Sequence, residues 1–169
     1  MITPDYARTM AAYNRWQNES IYGAAAGLSD EERRRDRGAF FGSIHRTLSH
    51  LRWGDEIWLS RFGDFPPPPP TASLGGSAAV YDDWEELRAG RIALDETIIG
   101  WAASLTPRDL EGDLTWFSGA MKREITRPRA LLVAHMFNHQ THHRGQAHAM
   151  LTAAGAKPDD TDLPFIVKE

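Results

Sequence analysis

Histidine is concentrated in one segment of this chain, and its spacing there suits metal binding. Five of the seven histidines lie within a stretch of fourteen residues. On an α-helix each residue advances about 100°, so residues four apart lie on one face. His135, His139 and His143 therefore form one row, with His142 at its edge and His148 on the opposite side. Neutral imidazole is a good ligand for zinc, nickel, copper and iron near neutral pH, so this row predicts a metal site.

A lone histidine on a helix is ordinarily a surface group or a hydrogen-bonded core residue. A metal site generally needs a third protein ligand, here one on another element. His50 meets this need. It lies at the edge of the apolar face of a predicted helix, one turn before Gly54, which has no side chain. His45, five residues earlier, points about 140° away and is not expected to share the same metal. Within the row, His135 is the alternative ligand, one turn before His139.

Four long amphipathic helices would position these histidines. Apolar residues recur in them at three- and four-residue spacing, and Pro4, Ser43 and Pro128 suit helix starts. The predicted ranges are 3–27, 43–62, 80–105 and 128–155. Residues 113–128 hold no helical period and indicate two short strands about a turn. The chain is therefore predicted to be an all-α four-helix bundle with a small hairpin between the third and fourth helices.

Charged residues inside this pattern need partners. Asp55 turns toward the apolar side of the second helix, where an unpaired carboxylate would be costly. Arg144 has the equivalent position relative to His139 on the fourth helix, so we predict that Asp55 and Arg144 form a buried ion pair. In the third helix, Ile92 is assigned to the buried face and Arg91 to the solvent face.

The second and third helices are joined by a loop of roughly seventeen residues that contains five consecutive prolines, Pro66–Pro70. A loop of this length is expected to cover a surface or to have a function. It is not a domain linker, because the helices on either side are too few to form independent cores. We therefore predict a single domain over residues 1–169.

Composition excludes several classes of function. The chain has no cysteine, which leaves histidine and carboxylate as the only strong metal ligands. Its 19 Lys and Arg against 23 Asp and Glu give a net charge of −4, so nucleic acid is not an expected partner. The first residues lack a signal-peptide pattern, and no run of eighteen apolar residues occurs. We expect a cytoplasmic protein with no membrane partner.

The sequence resembles the DinB-like/YfiT-like superfamily of metalloenzymes, the damage-inducible DinB family, over nearly its whole length. The most specific matches are His50 and the motif NHQTHHRGQ, which starts at Asn138. Weaker matches are YNRWQNE in the first helix and TDLPF in the tail. The resemblance implies an up-down-down-up bundle, a homodimer, and a divalent metal held by His50, His139 and His143, with zinc or nickel as the expected ion.

The resemblance leaves two hypotheses about function. Characterised relatives include thiol-dependent S-transferases and a mycothiol-dependent isomerase, which implies a metal-dependent transferase, isomerase or hydrolase acting on a small molecule. In that case a low-molecular-weight thiol would come from outside the chain, and His142 would be the candidate for acid/base catalysis. The alternative is a noncatalytic metal-binding stress protein. Three protein ligands leave an open coordination position, which favours the enzyme.

Overall fold

The computed structural model describes residues 1–119 and 121–166. Ala120, in the predicted hairpin, and residues 167–169, in the predicted single domain, lie outside the described residues. Six α-helices and two strands occur in the described part: α1 Pro4–Ala26, α2 Asp30–Arg34, α3 Ile44–Phe62, α4 Leu74–Ser77, α5 Trp84–Ser104, β1 Asp113–Ser118, β2 Arg123–Pro128 and α6 Arg129–Ala153. The long helices α1, α3, α5 and α6 fall within the predicted helical segments.

The predicted all-α four-helix class is wrong. Two further short helices, α2 and α4, are present among the described residues, and β1 pairs with β2 in an antiparallel sheet. The fold therefore combines helices with a β-hairpin. The hairpin follows from residues that suit strands: Thr115 lies opposite Thr126, and Trp116 lies opposite Ile125. Pairing satisfies backbone groups of a segment that has no helical period.

The long helices pack in pairs around two apolar clusters. Both α1 and α3 contact α5 and α6. One cluster, near the hairpin, includes Leu59, Trp101 and Phe137, and the other, at the opposite end, includes Leu48 and Leu87. Burying such side chains is the main favourable contribution to folding. The interior of the molecule is thus apolar near both ends and contains polar residues in the middle.

A buried polar network separates the two clusters. The Arg91 guanidinium donates to Asp55 at 2.7 Å and to Asp95 at 2.8 Å. Arg144 instead donates to Asn14 Oδ1 at 2.5 Å and to Gln140 Oε1 at 3.2 Å. The predicted ion pair of Asp55 with Arg144 is therefore wrong, because Arg91 of α5 lies against Asp55. This network thus contains two carboxylates and two guanidiniums, whose charges balance.

The face assignment within α5 is also corrected by the structure. Arg91 is 1% exposed, whereas Ile92 is 58% exposed. Helical periodicity assigned the more apolar residue to the interior, but Asp55 and Asp95 provide the buried arginine with two anionic acceptors. These carboxylates raise the pKa of Arg91 although burial opposes its charge.

The histidine helix α6 is held at both ends. At its start the backbone N–H of Arg129 donates to Gly112 O at 3.0 Å, which ties the helix to the end of the hairpin. At its end Gly155 has φ of 81°, and the N–H of Ala156 donates to Leu151 O, which satisfies a terminal carbonyl. Among the described residues, no helix is both long and apolar enough to cross a membrane.

Candidate metal centre

Three histidines from two helices converge between α3 and α6. His50 belongs to α3, and His139 and His143 lie one turn apart on α6. One potential ligand nitrogen from each ring lies within 4.8 Å of the other two. His50 Nε2 and His139 Nε2 lie 3.0 Å apart. The structure thus brings together the three residues that the sequence predicts as ligands.

The ring of His50 is oriented by Ser77. His50 Nδ1 lies 2.7 Å from Ser77 Oγ, and the Ser77 hydroxyl donates to the carbonyl of Leu74. A hydroxyl has one proton, so Ser77 must accept the hydrogen bond from His50 Nδ1–H. The neutral ring then carries its lone pair on Nε2, the nitrogen that faces His139. Ser77 therefore fixes the tautomer in which His50 can bind a metal.

The ring of His143 is oriented in the same way by Gln146. His143 Nδ1 lies 2.9 Å from Gln146 Oε1, and an amide oxygen only accepts hydrogen bonds. His143 therefore carries its proton on Nδ1 and has its lone pair on Nε2. The Gln146 amide nitrogen lies 3.1 Å from His142 Nε2, so one side chain connects the third ligand to the exposed His142.

The ring of His139 fits against Gly54. A Cβ atom at position 54 would lie 3.0 Å from His139 Cε1 and 3.5 Å from its Nδ1, so any larger residue would press on the ring. Gly54 lies one turn after His50 on α3, but its close approach is to His139 on α6. His139 Nδ1 is buried and has no hydrogen-bond partner among the described residues. Packing against Gly54 therefore positions the His139 ring.

Burial keeps the three imidazoles neutral. It lowers the pKa of His139 to about 3 and that of His50 to about 4, and the neighbouring His143 contributes to both shifts. Burial also lowers the pKa of His143. Neutral imidazole is the form that binds metals, so these rings have their lone pairs available at neutral pH without losing a proton.

Aromatic side chains surround the inner side of the cluster. The Phe41 ring centroid lies 4.1 Å from that of His50 and 5.3 Å from that of His143. Phe41 is buried, whereas the adjacent Phe40 is 68% exposed. Trp53 stacks beside His50 with the centroids 6.5 Å apart. The histidines thus have an apolar wall on one side, which limits water and strengthens electrostatic interactions there.

The remaining histidines lie outside this cluster. His45 is buried, and its Nε2 is 2.8 Å from the carbonyl oxygen of Tyr81. His148 is half-buried beside Arg144 on another side of α6. His135, the alternative ligand, is exposed and packs edge-on against Trp58. The His135 ring centroid lies 5.9 Å from that of His139. His142, the candidate for acid/base catalysis, is exposed at the edge of the site, 4.9 Å from the His143 ring.

Sequence reasoning missed the roles of Ser77, Gln146 and Phe41. Ser77 belongs to the short helix α4 in the long proline-containing loop, and no periodicity connects this loop to His50. Gln146 had a sequence signal, since it follows His143 by three residues and therefore lies beside it on the helix. Phe41 lies two residues before the N-cap Ser43, in a segment without a period, so nothing in the sequence connected it to His50.

The residues present fit a bound metal ion. Two Nε2 atoms 3.0 Å apart are close enough to share one ion with bonds of about 2.0–2.2 Å. The Nδ1 hydrogen bonds of His50 and His143 are the supporting contacts that metal-bound histidines normally make. No fourth His, Asp or Glu joins the cluster in the part of the chain that the structure describes. The ligand set is three neutral nitrogens, which suits zinc, nickel, copper or iron.

The helices and the cluster together fit a metal-binding protein with a three-histidine site. The sequence model of the DinB family matches residues 1–168, so this chain belongs to the DinB family. The chain is 26% identical to Protein DinB of Bacillus subtilis (strain 168), over 94% of this chain and 91% of that protein. Its fold is similar to the crystal structure of a DinB-like protein from Bacillus cereus ATCC 10987, with a TM-score of 0.61 and 18% identity over 86% of this chain and 90% of the other.

Proposed function

We propose that this protein is a divalent-metal-dependent enzyme that activates a small-molecule nucleophile at its three-histidine centre. The observation that supports this proposal is the open ligand set, in which three neutral imidazoles converge without a fourth ligand among residues 1–119 and 121–166. Structural zinc sites generally have four protein ligands, whereas catalytic sites have three and leave a position for water or substrate.

The protein's own residues have separate roles in this proposal. His50, His139 and His143 hold the ion, for which zinc and nickel are the leading candidates. A bound divalent ion lowers the pKa of a coordinated water or thiol, so that a nucleophile is available near neutral pH. Ser77 and Gln146 keep two of the ligand rings in the required tautomer. We assign acid/base catalysis to His142, which is exposed and hydrogen-bonded to Gln146.

The reaction class comes from the resemblance to the DinB-like/YfiT-like superfamily, whose characterised relatives include thiol-dependent enzymes. Because the sequence contains no cysteine, a thiol nucleophile must be a separate low-molecular-weight molecule. The activity that the resemblance suggests is thiol-dependent S-transfer or isomerisation of a small molecule, or hydrolysis when water is the nucleophile. The net charge of −4 disfavours a polyanionic substrate such as nucleic acid.

Metal analysis followed by a turnover assay tests this proposal. Protein purified without chelators should contain about one divalent ion per chain. It should accelerate the reaction of at least one low-molecular-weight thiol with alkyl halide or epoxide electrophiles. His139→Gln should lose both the ion and the activity, whereas His148→Gln, outside the cluster, should keep both. Full metal content without turnover of any thiol or hydrolytic substrate would instead support a noncatalytic metal-binding protein.

A further inference from the structure

Arg61 of α3 is a half-buried cation without an anionic partner among the described residues. Its Cζ lies 4.5 Å from the Trp58 ring centroid and 5.5 Å from that of Trp116, so the guanidinium is held by two indoles. Arg61 donates no hydrogen bond to residues 1–119 and 121–166 and forms no ion pair with them. By contrast, Arg46 of the same helix donates to Phe41 O, and Arg52 pairs with Glu56 at 3.0 Å. Burial lowers the pKa of Arg61.

Arg61 lies on the same face of α3 as the metal ligand His50. The two residues are eleven positions apart, which corresponds to a rotation of only about 20° and a rise of about 16 Å. Both are therefore directed to the same side of the helix, about three turns apart. The facing helix α6 supplies the rest of the cluster on that side.

A continuous row of rings connects Arg61 to the three-histidine cluster. The centroids of His143 and His139 are 4.6 Å apart, and those of His139 and His135 are 5.9 Å apart. His135 then contacts Trp58 with a centroid distance of 5.1 Å, and Arg61 lies over Trp58. His135 is exposed and Trp58 is only half-buried, so this row lies along the surface of the protein.

A guanidinium in such surroundings suits a carboxylate. Its planar donors match the two oxygens of a carboxylate, and the interaction is stronger where flanking apolar rings exclude water. A phosphate group usually recruits several cations or a helix N-terminus, whereas this position offers one guanidinium between two indole rings. One unpaired guanidinium therefore favours a singly charged carboxylate.

We propose that Arg61 is the anion-recognition residue of the three-histidine site, and that the site takes an elongated small molecule with a metal-binding group at one end and a carboxylate at the other. This inference rests on the proposed function, because the metal centre binds the other end of the molecule. If Arg61 only covered the indole rings with its side chain, ligands with and without a carboxylate would bind equally well.

Thiol binding to the cobalt-loaded protein tests this proposal without a turnover assay. The probes are ω-mercaptocarboxylates from 3-mercaptopropionate to 8-mercaptooctanoate, each compared with the ω-mercaptoalcohol of the same length. Dissociation constants come from the thiolate-to-cobalt charge-transfer band. At the chain length that spans the row, the acid should bind at least about tenfold more tightly than the alcohol, as expected for a charge-assisted hydrogen bond.

Variants of Arg61 assign the preference to this residue. Arg61→Met should reduce the ratio of acid to alcohol affinity to about one while leaving cobalt affinity unchanged. Arg61→Lys, which keeps the charge but lacks the planar pair of donors, should retain part of the preference. Arg123→Met is the matched control, because it removes the same charge from the exposed hairpin and should leave the ratio as in the parent.

The possible failures are distinguishable. A parent protein that binds no Co²⁺ would contradict the metal site, and this inference with it. A protein that binds Co²⁺ and thiols but shows no preference for the carboxylate at any length would contradict the role of Arg61 alone. A preference that persists in Arg61→Met would assign the carboxylate to another residue. Equal loss in Arg61→Met and Arg123→Met would indicate a general effect of charge.

Discussion

The metal-binding ability of His50 and His143 depends on uncharged neighbours. A Ser77 oxygen and a Gln146 oxygen each accept the Nδ1 proton of one ring, so both rings carry the Nε2 lone pair. His139 lacks such an acceptor among the described residues and relies on contact with Gly54. The site is therefore held by two hydrogen bonds and one close approach, and each of these can be tested separately.

Gly54→Ala tests the close approach. The new methyl group would lie 3.0 Å from His139 Cε1, so the ring has to shift away from the position in which its Nε2 faces His50. We expect zinc affinity to fall roughly 10- to 100-fold, as for other changes that displace a metal ligand. Competition with a chromophoric chelator measures this affinity.

Gly100→Ala is the control for that substitution. A Cβ at position 100 of α5 would meet no atom within 4 Å, so the change should leave zinc affinity unaltered and stabilise the helix by roughly 0.5–1 kcal/mol. Unchanged affinity in Gly54→Ala would show that His139 is not positioned by this contact.

Acid should destabilise the metal-free protein in a defined pH range. The pKa of His50 is lowered to about 4 and that of His139 to about 3, whereas in the unfolded chain both are near 6.5. Between these values the unfolded state binds more protons, so the free energy of unfolding falls as pH decreases below about 6.5. Each histidine contributes a slope of up to about 1.4 kcal/mol per pH unit.

Urea unfolding between pH 7.5 and 5 in the presence of a chelator measures this slope. His50→Gln should unfold with a shallower pH dependence than the parent, because one of the neutral buried imidazoles is gone. The same slope in both proteins would mean that burial does not hold His50 in its neutral form.

At the scale of elements, the four long helices are joined through the polar network as well as through their apolar faces. Each long helix contributes to this network: Asn14 and Asn18 from α1, Asp55 from α3, Arg91 from α5 and Arg144 from α6. Hydrogen bonds between these residues and their neighbours connect the helices. Such a network fixes how the helices are rotated against one another, because each polar group must find its partner.

Arg91→Met tests the contribution of this network. The substitution leaves two carboxylates buried without their cation, which typically costs roughly 3–5 kcal/mol in the free energy of unfolding. Arg88→Met removes an exposed cation of the same helix, 3.5 Å from Glu85, and should cost less than about 1 kcal/mol. Urea denaturation compares the two. Similar stability in both variants would show that the buried pairs are not needed.

Helical periodicity predicted the histidine cluster better than it predicted the interior. The row of histidines on α6 could be placed because residues four apart share a face whatever the helix packs against. Ser43 and Pro4 marked helix starts that the structure also has, since N-cap hydroxyls and N1 prolines act locally. Partners between helices could not be predicted. Asp55 pairs with Arg91 rather than with Arg144, because the partner of Asp55 depends on how three helices are rotated relative to one another.

The path of the long loop between α3 and α5 was also beyond prediction. Ser77 reaches His50 from the loop that follows Pro66–Pro70, and that loop has no period from which its path can be read. The same limit explains the fold class. The sequence predicted the hairpin at residues 113–128, but the short helices α2 and α4 have less than the length at which periodicity becomes visible.

At the scale of the whole molecule, we expect the chain to form a homodimer. The resemblance to the DinB-like/YfiT-like superfamily implies it, and several large apolar side chains are exposed, including Phe40, Ile92 and Phe117. A symmetric pair would cover part of this surface. Light scattering at micromolar concentration should give about twice the 19.0 kDa mass of one chain. A mass close to 19.0 kDa would contradict the dimer.

The central claim is that His50, His139 and His143 bind one metal ion and leave part of its coordination open. X-ray absorption spectroscopy of the zinc-loaded protein tests it most directly. We expect the scattering of three imidazole rings with nitrogens at about 2.0–2.2 Å, together with at least one oxygen from water. In His50→Gln one imidazole contribution should disappear. A fourth protein ligand in place of water, or an unchanged spectrum in His50→Gln, would contradict the account.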